Sequence, residues 1–350
     1  MTESMIGSSK RYPASRPLIT QRHAQILSTG SGVPDEVVTN QQLIDELALM
    51  ATDRAVQYSI GITERRRAPF HVESSVYLEK AARECLQRAG VAAESLDRII
   101  YSRLFGDHFV PATAARLAER LGIDRCIPVT DISAACSGVM HAVELAISMI
   151  NAGDEYVLVL GGDRTAMSQQ VAVAKDTRTV FLNGDGFAGI LLGRSPSPSF
   201  LARYFYTDSD LSEFAYIPFG TELLNGTLAF GPEMAAMKMP DGRRIHQSVL
   251  DSCKIISSRL LEITGLSMQD IDFVITSDQT YHVWKEQLAV LGVPEAKSVS
   301  CFHKYGNTVA AMVPLNLHEA YATHAITPGM KVMMMGHGAG ASGGGFVFIA

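Results

Sequence analysis

The chain lacks the marks of several protein classes. Its five cysteines, Cys85, Cys126, Cys136, Cys253 and Cys301, are scattered, odd in number and never spaced as CxxC. Neither a zinc site nor a disulfide framework is indicated, and reduced thiols in a cytoplasmic compartment are the natural reading. No run of 18 apolar residues occurs, so no segment is expected to span a membrane. The first 20 residues, "MTESMIGSSKRYPASRPLIT", have no apolar signal-peptide core, and residues 1–23 read as a mobile tail. Charged residues make up 19% of the 350, and the net charge of −6 spreads without a long run of one sign. Nucleic acid is not an expected partner, because phosphate binding needs clustered positive charge. The densest basic cluster, "ERRRAP" (64–69), reads on charge alone as a solvated turn. "FLNGDGFAG" (181–189) lacks the strand-to-helix glycine spacing of a dinucleotide fingerprint. Its Asp185 reads as fixing a tight turn between strands.

What is present first shows itself as a repeat. "SSVYLEKAARECLQRAGVAAESLDRIIYS" (74–102) and "VLDSCKIISSRLLEITGLSMQDIDFVITS" (249–277) superpose at a shift of 175 residues. Gly90 meets Gly265, Asp97 meets Asp272, and Ser102 meets Ser277. Each copy reads as an amphipathic helix ended by glycine, a short acid-bearing link and a buried strand. The same shift lays "EYVLVLGGD" (155–163) on "MKVMMMGHG" (330–338). Two similar halves related by duplication follow, with a boundary in the Pro/Ser-rich "GRSPSPSF" (193–200). The halves are taken as 24–195 and 196–350. The strands are continuous apolar runs, which predicts sheets covered on both faces in an α/β fold layered helix, sheet, helix, sheet, helix. Met333, Met334 and Met335 read as core or dimer-interface filler.

Between "IPVTDI" and a helix carrying Val139, Val143, Ala146, Ile147 and Ile150 lies "SAACSG". Cys136 therefore falls near a helix N-terminus, where unpaired N–H groups and the helix dipole favour an anion. The expectation is a thiol pKa lowered toward neutrality and a nucleophile for carbonyl carbon. The alternative is a small buried hydrophobe.

Four motifs in order, "GITERRRA" (61–68), "DISAACSGVMHAVELA" (131–146), "FLNGDGFAGILL" (181–192) and "YGNTVAAMVPLNLHEA" (305–320), followed by "GHGAGASGGGFVFI" (336–349), resemble the ketoacyl-ACP synthase III family of the thiolase fold. The resemblance covers about residue 24 to 350. It implies the five-layered αβαβα fold of two duplicated βαβαβαββ halves. It further implies that Cys136 takes an acyl group as a thioester from coenzyme A or an acyl carrier protein, both substrates and not bound cofactors. The oxyanion would be held by backbone N–H groups of Cys136 and of the loop from Gly338 to Gly340. Asn307 stands at the family's asparagine position, where an amide donates without charge; a helix-start cap is the alternative role.

The chain departs from the family at its histidine. In "VITSDQTYHVW" (274–284), with Gln279 in register, Asp278 falls where the histidine belongs. A carboxylate there opposes a thiolate and donates no hydrogen bond when ionised. His282, His303 and His337 are candidate replacements. His337 stands in place of the family's aromatic gate, with Asp278 expected to orient its imidazole as in Cys–His–Asp sites. Each histidine has the alternative of a satisfied polar residue. Arg65, Arg66 and Arg67, with Lys238 or Arg243, are candidates for a basic rim at the pantetheine entrance. The segment 219–242 reads as a cap over the acyl pocket or as a surface loop.

Three activities are compatible with this reading. One is Cys-dependent acyl transfer to an unusual small-molecule acceptor in specialised, antibiotic-type metabolism. Another is decarboxylating β-ketoacyl synthesis with a relocated histidine. The third is a structural role in a heteromeric C-acyltransferase of the phloroglucinol type, with the chemistry on another thiolase-like subunit. By family analogy a homodimer is expected.

Overall fold

The computed structural model describes residues 22–166, 180–217, 237–339 and 342–350. The expected tail up to residue 21, most of the 219–242 segment and Gly340 lie outside these residues. In chain order the strands are β1 (His23–Ser31), the short β2 (Val37–Thr39) and β3 (Glu64–Arg66), β4 (Arg98–Ser102), β5 (Val129–Ile132), β6 (Tyr156–Asp163), β7 (Gly186–Ser195), β8 (Phe200–Thr207), β9 (Phe273–Ile275), β10 (Lys331–Gly338) and β11 (Ser342–Ile349). The helices that shape the molecule are α1 (Asn40–Leu47), α2 (Asp53–Ile60), α3 (Ser74–Ala89), α4 (Thr113–Arg120), α5 (Gly138–Asn151), α6 (Gly242–Thr264), α7 (Tyr281–Leu291), the single turn α8 (Phe302–Tyr305) and α9 (Met312–Ala322).

Two main sheets form, ordered β1-β7-β6-β4-β5 and β8-β11-β10-β9. Strand periodicity sends successive side chains to opposite faces. On β4, Ile99 and Tyr101 pack with Leu78 and Ala82 of α3 and Leu117 of α4. Ile100 points the other way, into a middle layer shared by Val139 and Val143 of α5 and Val313 and Leu317 of α9. Met334 on β10 enters the same middle layer from the second sheet. Met333 and Met335 turn outward onto Ile256 of α6 and Leu288 of α7. Both faces of each sheet are thus covered, which is why the strands read as unbroken apolar runs. The methionine triplet is core. The layers are α3/α4, sheet, α5/α9, sheet, α6/α7, the thiolase arrangement.

The duplication holds at atomic detail. Gly90 ends α3 with φ 64°, and Gly265 ends α6 with φ 68°, a left-handed cap that glycine adopts without a Cβ clash. In the first half, Asp97 N–H donates to the Tyr156 carbonyl at 2.9 Å, and its carboxylate accepts from Tyr156 N–H at 3.2 Å. In the second half, Asp272 N–H donates to the Lys331 carbonyl at 2.9 Å, and its carboxylate accepts from Lys331 N–H at 2.8 Å. One acid per half therefore locks the helix-to-strand link onto the neighbouring strand. The first half follows βαβαβαββ through β1, α3, β4, α4, β5, α5, β6 and β7. In the second half the counterpart of β5 shrinks to a single parallel bridge between Val274 and Ser298.

The halves are also crossed. A Cβ at Gly338 would lie 2.7 Å from Ser137 Oγ and 3.0 Å from the Ala134 carbonyl, so the turn that starts α5 sits directly on the end of β10. A Cβ at Gly161 would lie 2.4 Å from the Ala310 carbonyl, so the turn that precedes α9 sits on β6. Each helix start is seated on the other half's sheet, and the two starts meet in the middle.

Candidate active site

The α5 start is built as a sharp corner. Ala135 adopts φ 48°, a left-handed conformation that costs a non-glycine residue on the order of 1 kcal/mol. It turns the chain from β5 into a 3-10 turn, Ala135–Ser137, that runs on into α5. No side chain caps this helix; the 3-10 turn does so in part, since Gly138 N–H donates to the Ala135 carbonyl. Cys136 sits in the turn, 8% exposed, packed with Val309 and Met312 and flanked by Leu104.

Burial pushes the Cys136 thiol up to about 12. The expected lowering is therefore overturned. A helix terminus contributes about 1 kcal/mol, less than one pKa unit, and desolvation of a sulfur walled by apolar side chains outweighs it. No charged side chain contributes to the shift.

Asn307 lies just before the turn Val309–Ala311 that leads into α9. Its Oδ1 accepts from Val309 N–H at 2.8 Å, so the capping role is real. It also fixes the amide's orientation, because only the oxygen can meet that N–H. The Nδ2 group makes no hydrogen bond among the described residues and is left to donate. The backbone holds the residue as well: Asn307 N–H donates to the Leu182 carbonyl at 2.8 Å, and its carbonyl accepts from Gly184 N–H at 3.2 Å.

The expected pairing of Asp278 with His337 does not form. Asp278 is buried, and its carboxylate accepts from Asn316 Nδ2 at 2.8 Å and from the Ser300 hydroxyl. Burial raises its pKa to about 7. His337 occupies β10 between Gly336 and Gly338, the two positions that face the middle layer, where a Cβ would touch Met140 and Ser137. Strand alternation therefore turns the imidazole outward, away from the Cys136 turn. There its Nδ1 meets Ser252 Oγ at 2.7 Å and its Nε2 meets Ser248 Oγ at 3.3 Å, both hydroxyls on α6. Burial lowers its pKa to about 4, so the ring is neutral near pH 7.

The other candidates also lie away from the thiol. His303 is exposed on α8, where its carbonyl accepts from Thr63 N–H and Oγ1. His282 is exposed, with Nε2 at 2.8 Å from the Tyr58 carbonyl. Arg65 is fully buried. Its guanidinium donates to the Val38 and Phe181 carbonyls and, at 2.7 Å, to Asn40 Oδ1. It ties β3 to β2, to the first residue of α1 and to the segment before β7, and it is no part of an entrance rim. The solvated-turn reading fails at this residue. Arg66 lies 3.5 Å from Glu64 and over the Tyr305 ring. Arg67 is held by Glu36 and Glu46. Arg243 lies in the first turn of α6 and is exposed.

A cleft of about 610 Å³ opens beside the nucleophile turn. Ser133, Ala134 and Ala135 form its floor, with Ala339 beside them, and Leu104 to Phe109 form one wall. Tyr216, Ile217 and Met237 also line it, and Lys238 Nζ lies 5.7 Å from the Tyr216 ring centre. The 104–109 wall was missed by sequence reasoning, as was the buried Asp163 that holds it. One signal was available: at the shift of 175, Asp163 faces Gly338, an acid against a glycine at the end of matched strands.

Comparison with known proteins agrees with this architecture. Residues 130–209 match the 3-oxoacyl-(acyl-carrier-protein) synthase III family, and residues 261–349 match the C-terminal part of the same family. A beta-ketoacyl-(acyl-carrier-protein) synthase III of Sodalis glossinidius is 30% identical over 325 residues, which are 93% of this chain and 97% of that protein. The crystal structure of 3-oxoacyl-(acyl-carrier-protein) synthase III from Aquifex aeolicus superposes with a TM-score of 0.83 at 27% identity, over 93% of this chain and 100% of that one. The priming beta-ketosynthase of the R1128 polyketide pathway superposes with a TM-score of 0.85 at 26% identity, over 96% and 98%. With the thiolase layering, the cysteine turn and the asparagine turn in place, the chain belongs to the ketoacyl-ACP synthase III family of condensing enzymes.

Proposed function

We propose that the protein is a Cys136-dependent acyltransferase acting on an acyl thioester of coenzyme A or an acyl carrier protein. It passes the acyl group to a small-molecule acceptor in specialised metabolism. In the first step Cys136 sulfur attacks the thioester carbonyl, the new C–S bond forms, and the donor leaves as a thiol that takes up the cysteine proton. In the second step the acceptor attacks acyl-Cys136 and the thiol is restored. The backbone N–H of Cys136 in the turn before α5 and the Nδ2 group of Asn307 suit the developing oxyanion. The observation that carries the non-decarboxylating form is the outward turn of His337. Together with the exposed positions of His303 and His282, it takes all three of the histidines expected to replace the family's own away from the thiol, and leaves His108 on the cleft wall as the one imidazole lining the cleft among the described residues. The likeness to a priming ketosynthase of a polyketide pathway supports the specialised setting. The edge position of β5 supports a homodimer that joins two sheets.

The thiol raised by burial, with no charged side chain to offset it, gives support to a second reading, a subunit that needs a thiolase-like partner for chemistry. One experiment separates these activities. The purified chain is offered carboxyl-labelled malonyl-CoA and acyl-CoA, and both released carbon dioxide and protein-bound acyl group are measured. Acyl loading without carbon dioxide supports the proposal, carbon dioxide release supports a decarboxylating synthase, and neither without added partners supports the subunit reading.

A further inference from the structure

We propose that Asp163 is a positioning residue that sets the wall of the acyl cleft beside Cys136, and so governs which chain lengths reach the sulfur. This rests on the acyl-transfer reading above. Asp163 ends β6 and is 1% exposed. Three successive amides of the segment after β4 converge on its carboxylate: those of Leu104 and Phe105, the latter at 3.2 Å, and that of Gly106. Leu104 flanks Cys136, and the residues from Leu104 to Phe109 line the cleft. The same segment is held through a carbonyl by Arg103, whose Nη1 donates to Phe105 O at 2.6 Å while its Nε donates to Asp131 at 2.7 Å. Gly106 makes the bend at φ 71°, where a Cβ would lie 2.7 Å from both Arg103 Cδ and Thr113 Oγ1. The wall is therefore pinned from both polarities of its backbone.

A carboxylate suits this task because it only accepts and serves several N–H groups at once. An amide of the same shape turns an NH2 group toward N–H donors and leaves at least one buried donor unpaired. The duplicated half closes the matching strand with Gly338 and no acid. The repeat itself thus does not require a carboxylate there, and the one that exists lies beside the nucleophile.

The test uses the full chain and its Asp163→Asn and Asp163→Glu variants. Cys136 is alkylated with N-methylmaleimide and with N-octylmaleimide, the rate at this residue being read by peptide mapping. Acylation by acetyl-CoA and octanoyl-CoA is measured in parallel. In D163N the ratio of octyl to methyl alkylation shifts on the order of tenfold, the low end of what pocket contacts confer, and D163E recovers part of it. The methyl reagent reacts within about twofold of the parent rate, as expected for an intact α5 start. An unchanged ratio overturns the proposal, and so does an equal loss with both reagents. Failure of both variants to fold overturns it too, since the acid then serves the fold and not the wall. Because alkylation needs no acyl transfer, a chain that refuses every acyl-CoA refutes the proposed function while the maleimide ratio still decides this inference.

Discussion

Asn307 Oδ1 accepts the Val309 amide proton at 2.8 Å, and the Val309 side chain packs with Cys136. A single amide thereby caps the turn that touches the nucleophile, and its own NH2 group makes no hydrogen bond among the described residues. Replacing Asn307 by Asp preserves the capping oxygen and removes the donor. Acyl transfer should fall by about 10²–10³, the effect of losing one oxyanion donor, while unfolding free energy changes by less than about 1 kcal/mol. Asn307→Ala should show the same kinetic loss and also lose about 1 kcal/mol of capping. Full activity in Asn307→Asp, measured beside urea denaturation, contradicts the assignment.

The Cys136 thiol, pushed up to about 12 by burial, is protonated throughout the neutral range. Its reaction with iodoacetamide should rise about tenfold per pH unit from pH 7 to pH 10, because the thiolate fraction does. A plateau below pH 8, followed by mass spectrometry of the Cys136 peptide, would show a sulfur already ionised by the helix start.

His337 faces Ser252 and Ser248 in the outer layer. His337→Gln should leave acyl transfer within about twofold, whereas losing a general base costs about 10²–10⁴. Its effect belongs in stability, lowered by about 1 kcal/mol as the α6 hydroxyls lose a partner. Steady-state kinetics and thermal melts on the same preparation check both halves.

Asp278 carries a pH signature of its own. Its folded carboxyl is raised by burial from 3.8 to about 7, so between those values the folded state holds a proton that the unfolded state has lost. Stability from this group is full below pH 4, declines as pH rises, and is gone above about pH 7. Asp278→Asn keeps the shape and removes the titration. The variant should gain on the parent between pH 5 and pH 8 in denaturant melts, and an equal difference at both values refutes the shift.

Much of the fold was legible in the sequence because duplication is written in local chemistry. The left-handed helix stop favours glycine, as at Gly90 and Gly265, and the link carries an acid, as at Asp97 and Asp272, so both marks survive at one offset. The cysteine and asparagine turns were legible for a similar reason, since corners of small residues are visible without contacts. The orientation of His337 was not. A strand buried on both faces, as at Met333 to Met335, carries no polar alternation to say which residues face the site. Arg65 was misread because a run of charges does not reveal that Asn40 lies 2.7 Å from one of its members. The thiol pKa was missed because desolvation depends on Leu104, Val309 and Met312, which meet Cys136 only in three dimensions.

The most direct test is covalent. The chain is incubated with acetyl-CoA or octanoyl-CoA, and the acyl mass is located by peptide mapping in the parent and in Cys136→Ala. The account predicts one acyl group per chain on the Cys136 peptide, absent from the variant together with all transfer. Acyl transfer that persists in Cys136→Ala, or a parent chain that never carries the acyl group at this sulfur, contradicts it.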